Sequence, residues 1–136
     1  MNEIEKLANK LGKKYKTFDP FLIAEKENID IQYKDFENEP LGQSISYFNR
    51  PIILLSLNII DSNKKYFVCA HELCHALKHT ELSTYYISNC NVKNKFEYQA
   101  DKFAFTLLKN LYKEQYETED ITTNYLTIAY GIKPIG

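Results

Sequence analysis

The chain reads as a single-domain α+β protein spanning residues 1–136. Apolar residues recur at helical spacing near both ends, at Ile4, Leu7, Ala8, Leu11 and Tyr15 and again at Phe96, Ala100, Phe103, Ala104, Leu107 and Leu111. Between them, Ile29 to Phe36 and Gly42 to Phe48 switch to the two-residue alternation of strands, and Ile52 to Leu55 is a short continuous apolar run. No internal repeat, low-complexity segment or linker divides the sequence. The order α, α, β, β, β, α, α, α follows, with a small, antiparallel sheet of about three strands packed with helices.

Each element has its own signal. Glu3 to Tyr15 forms the first helix. Asp19-Pro20 is an N-cap followed by proline at the first helical position, and opens a second helix through Phe21, Ala24 and Glu27. Ile29 to Phe36 and Gly42 to Phe48 alternate as half-buried strands, and Asn49-Arg50-Pro51 reads as a turn. Ile52 to Leu55 is a short buried strand. Asp61, Ser62 and Asn63 offer caps for a helix running to about His79. Thr80 to Asn94 shows no period and reads as loop or extended chain, and Lys95 to Asn110 carries the strong apolar stripe. Thr122 to Tyr130 closes the chain as a short helix, ending at Gly131 with Pro134 beyond.

Bulk composition excludes several classes. With 44% hydrophobic and 26% charged residues the chain is ordinary for a globular protein, and 136 residues suffice for a core without staples. A net charge of −1 leaves no electrostatic footprint for direct nucleic-acid binding. The longest apolar run, Ile52 to Leu57, is too short for a bilayer, so no membrane partner is expected. The charged N-terminus lacks the apolar core of a signal peptide, and three cysteines without a CxxC pair read as reduced thiols. The expected compartment is the cytoplasm.

One pentad carries the chemistry. His71-Glu72-Leu73-Cys74-His75 is an HExxH sequence, and it holds two of the three histidines in the chain. On a central helix, residues four apart share a face, so the two imidazoles can bind one Zn²⁺. Glu72, about 100° round the helix, can reach a water on that metal. A catalytic zinc takes a third protein ligand. His79, Cys90, Glu97 and Asp101 are the candidates. His79 lies about 6 Å further along the axis, too far to join both other imidazoles. Glu97, beside the stripe of Phe96, Ala100 and Phe103, faces a neighbouring helix and is the economical ligand. Asp101, one turn on, can accept the free ring N–H of a ligand histidine. A His₂Glu set suits zinc better than manganese or iron.

The segments Ala70 to His79 and Phe96 to Ala104 resemble the ImmA/IrrE family of zinc metallopeptidases, whose AHELGH-type helix precedes an E-x-x-A-[N/D]-x-F-A helix. A weaker similarity extends over Asp19-Pro20-Phe21 through Ile31. The resemblance implies a zincin-like fold, zinc ligands at His71, His75 and Glu97, and a general base at Glu72. It departs at Cys74, where glycine is usual, and at Asp101, where asparagine is common. Members of the small phage or mobile-element type cleave a helix-turn-helix repressor, an anti-repressor role that this chain is expected to share.

The expected reaction is hydrolysis of a peptide bond, with Glu72 taking a proton from the attacking water and delivering it to the leaving amine. His79, Tyr85, Tyr86 and Tyr98 are candidates to stabilise the oxyanion. An extended substrate can be gripped along an edge of the sheet. Two other functions compete: a zinc-containing regulator that binds its repressor without cutting it, and the toxin of a toxin–antitoxin pair. An intact Glu72 favours cleavage, because neither structural zinc nor simple binding needs a base there.

Overall fold

In the computed structural model, which describes residues 2–79, 90–118 and 121–131, the helices start where short polar side chains accept their first backbone donors. Helix α1 (Glu3–Tyr15) is capped by Asn2, whose Oδ1 accepts from Glu5 N at 2.8 Å. Helix α2 (Pro20–Lys26) is capped by Asp19, which accepts from Phe21 N at 2.9 Å, with Pro20 in the first turn as expected. Three strands follow, β1 (Asp30–Lys34), β2 (Gly42–Tyr47) and β3 (Arg50–Ser56). Helix α3 (Lys64–Lys78) carries the HExxH pentad. Of its three cap candidates, Ser62 is used, its hydroxyl accepting from Lys64 N at 3.1 Å, whereas Asn63 makes no side-chain cap.

The α+β class is observed, and the sheet is mixed where an antiparallel one was expected. Its order is β1-β3-β2, with β3 parallel to β1 and antiparallel to β2. The reason lies in β3. Ile53, Leu54, Leu55 and Ser56 are buried in succession, so this strand needs cover on both faces and takes the centre. Strand β1 alternates between exposed and half-buried residues and sits at an edge. The hairpin turn falls one residue earlier than expected, at Phe48 and Asn49, whose φ values of 49° and 62° suit a two-residue primed turn. Arg50 and Pro51 therefore belong to β3. Pro51 precedes the first β1 partner, Ile52, so its missing N–H removes nothing from that ladder.

Helix α4 (Cys90–Tyr116) is longer than the stripe suggested at both ends, and residues 90–94 are helical, not loop. The rest of that expected loop lies outside the described residues. Ala100, Phe103, Ala104 and Leu107 are fully buried and enter the main core with Cys69, Ala70, Leu73 and Cys74 of α3. Further along, Leu108 and Leu111 form a second cluster with Leu126 and Tyr130 of helix α5 (Thr123–Tyr130). That cluster explains why α4 outruns Asn110. Among the described residues, no helix is long and apolar enough to cross a membrane.

Phe103, at 0% exposure, fills the core between α3 and α4. Phe103→Ala should cost about 3–5 kcal/mol, read as a lower urea midpoint at unchanged slope.

Candidate metal centre

Helix geometry places His71 and His75 on one face of α3, and their Nε2 atoms stand 3.2 Å apart. Helix α4 lies against that face. From it Glu97 reaches both rings, with Oε2 2.9 Å from His71 Nε2 and Oε1 3.0 Å from His75 Nε2. The three donor atoms lie within 4.8 Å of one another, the one such group among the described residues. Zn–N bonds of about 2.0–2.1 Å in a tetrahedron separate neighbouring ligands by about 3.3 Å. The observed spacings are close to that edge, and two imidazoles with one carboxylate form a donor set that suits a divalent transition metal.

Both imidazoles are oriented from behind. His71 Nδ1 donates to Asp101 Oδ1 at 2.8 Å, which leaves Nε2 facing Glu97. His75 Nδ1 meets the Nδ1 of His79 at 2.8 Å. His79 ends α3 at 3% exposure, and its Nε2 lies 2.8 Å from Gln99 Oε1. Its ring stacks on Phe96 at 4.2 Å between centroids. With both ring nitrogens engaged and the ring buried, His79 has no donor left for an oxyanion.

Glu72 sits beside the donors, 9% exposed. Burial raises its pKa, against the opposing pull of His71 and His75, so the carboxylate is a stronger base than an exposed one. A backbone hydrogen bond from Ser44 on β2 restrains it. The approach of β2 depends on Gly42. A Cβ there would lie 2.5 Å from Val68 Cγ1 and 3.1 Å from Glu72 Cγ, so any side chain would push the strand from the helix.

Electrostatics bind the cluster in its metal-free form. Burial disfavours a charged His71, but hydrogen bonds to Asp101 and Glu97 outweigh it and raise its pKa to about 10. The same bonds from His71 and His75 hold Glu97 well below the usual carboxylate range.

Of the other expected site residues, Tyr98 is 54% exposed on α4, and Tyr85 and Tyr86 lie outside the described residues. Cys74, in place of the usual glycine, is wholly buried, and burial pushes its thiol up to about 12, leaving it a small hydrophobe. Cys69 is buried as well. The sequence reading had not singled out Gln99, Gly42 or Ser44. Only Gly42 carried a signal, as a glycine opening a strand.

A helix presenting histidines four residues apart, with a carboxylate from a second helix completing the set, defines the HExxH…E class. The chain belongs to the Peptidase_M78 family, whose IrrE N-terminal-like domain matches residues 24–128, in agreement with the ImmA/IrrE resemblance of its motifs. It is also similar to "Uncharacterized immunity region protein 2" of Bacillus phage phi105, at 27% identity over 132 residues, covering 95% of this chain and 83% of that protein. No solved structure matches it.

His71 links pH to stability. Its folded pKa of about 10 lies above the ordinary 6.5, so the stabilisation is complete below the latter and disappears as pH rises through the former. Metal-free protein should melt at progressively lower temperature between about pH 7 and 10.5. Asp101→Asn, which keeps an acceptor oxygen but removes the negative charge beside His71, should lower the neutral-pH melting point and flatten that dependence.

Proposed function

We propose that this protein is a zinc-dependent endopeptidase that cleaves a helix-turn-helix repressor at a specific site and so relieves repression. The observation that carries the reading is a buried Glu72, raised in basicity, next to the converged donors of His71, His75 and Glu97. Those three residues would hold the ion. Bound zinc would supply a Lewis acid that polarises the scissile carbonyl and acidifies water.

The remaining steps belong to the chain. Glu72, restrained by Ser44, takes the proton from the attacking water and passes it to the leaving amine. Asp101 keeps the His71 proton on Nδ1 and its Nε2 lone pair free for the ion. Strand β2 is the sheet edge packed against Glu72, and no strand pairs with its outer side among the described residues. An extended substrate segment adding there would present its backbone to the base.

Family membership supports peptidase chemistry, and similarity to a phage immunity-region protein supports a phage or mobile-element setting. The experiment is incubation of the zinc-loaded protein with the repressor encoded beside it, followed by mass spectrometry. Discrete fragments are expected with the wild type. Glu72→Gln should retain zinc while slowing cleavage by about 10²–10⁴-fold. Stable co-elution without fragments would instead establish regulation by binding.

A further inference from the structure

A metal-ligating imidazole needs a lone pair on one nitrogen, so its proton must sit on the other, where it requires an acceptor. For His71 the acceptor is the Asp101 carboxylate. For His75 the atom opposite Nδ1 is another imidazole nitrogen, His79 Nδ1 at 2.8 Å. Two facing ring nitrogens make one hydrogen bond only if one carries a proton and the other does not. His79 can accept at Nδ1 only when its own proton is on Nε2, and Gln99 Oε1 stands 2.8 Å from that nitrogen. An amide oxygen has no proton to give, so it fixes the His79 proton there. The stack on Phe96, with ring planes 13° apart, and 3% exposure hold the imidazole in the plane this chain of bonds requires.

We propose that Gln99 and His79 form a positioning relay, Gln99 Oε1···H–Nε2 of His79 and Nδ1···H–Nδ1 of His75, that sets the His75 tautomer and aims its Nε2 at the metal position. The proposal rests on the zinc reading of the centre. It gives His79 a supporting role behind a ligand in place of contact with substrate. It also makes the two ligands unequal, since His71 is backed by an anion and His75 by a neutral chain. A second carboxylate behind His75 would add charge to a half-buried cluster that already holds Glu72, Glu97 and Asp101. Gln99 supplies the acceptor without it.

The test uses the full chain, with zinc affinity measured by competition against a chromophoric chelator. Gln99→Leu and His79→Phe should each weaken zinc binding roughly 10–100-fold, the usual effect of losing a partner behind a ligand. Gln99→Glu keeps an acceptor and should bind zinc at least as tightly as wild type. The second readout is nitrogen NMR of ¹⁵N-histidine-labelled, zinc-loaded wild type, whose three histidines give three resolvable rings. His79 should carry its proton on Nε2 and His75 on Nδ1. Zinc affinity of Gln99→Leu within two-fold of wild type, or a proton on His79 Nδ1, would overturn the relay. If Gln99→Leu does not fold, the wild-type spectrum decides. A protein whose zinc affinity falls with Glu97→Gln but not with Gln99→Leu loses only the relay. One that binds no zinc, or binds it equally well as Glu97→Gln, loses the zinc reading and the relay together.

Discussion

The packing of α4 on α3 is the constraint on which the centre depends. Two histidines four residues apart need only a helix to meet, but Glu97 comes from a separate helix and must arrive within hydrogen-bond reach of both. Small buried side chains on both helices, Ala70 and Cys74 on one and Ala100 and Ala104 on the other, allow close contact, while Phe103 and Leu107 set the rotation of α4. Turning α4 by a single residue would swing Glu97 through about 100° and away from the rings. Because Asp101 lies four residues after Glu97, the same rotation that delivers the ligand also delivers the support for His71. The apolar stripe therefore sets the geometry of the donor cluster as well as contributing to stability.

On the opposite side, the sheet is tied to the same helix through β2. Gly42 lets the strand lie close enough for Ser44 to restrain Glu72. The base is then fixed between the strand and α3, and the donors between α3 and α4. The two halves are complementary: the α3–α4 pair alone would leave Glu72 unrestrained, and the described donor cluster draws all its members from α3 and α4.

How far this was legible follows from where each feature originates. The positions of His71 and His75 follow from helical periodicity, and Glu97 and Asp101 from their place beside an apolar stripe. Both are local properties. The central place of β3 was also written in its run of apolar residues, although the hairpin-like order of the strands suggested a simpler antiparallel sheet. The extension of α4 to Tyr116 was less visible, because residues beyond Asn110 are held by contacts with α5 and not by the main stripe. Gln99 and Ser44 lacked any local mark. A half-buried glutamine on a helix and a serine on a strand acquire meaning only when tertiary packing places His79 and Glu72 against them.

Exposure is graded across the centre. Glu72 is buried, the side chains of His71 and His75 are 16% exposed, and that of Glu97 is 47% exposed. Burial strengthens the base, whereas the ligand that closes the set stands at the open side. Glu97 lies where α4 leaves the core: Lys93, Asn94 and Lys95 are exposed, and complete burial begins at Ala100. A ligand at such a margin would be loosely held on its own helix. The stack of His79 on Phe96, the residue next to Glu97, ties this turn to the end of α3. The contact that seals His79 behind His75 thus also steadies Glu97, and the centre stays open on one side without depending on deep burial for its order.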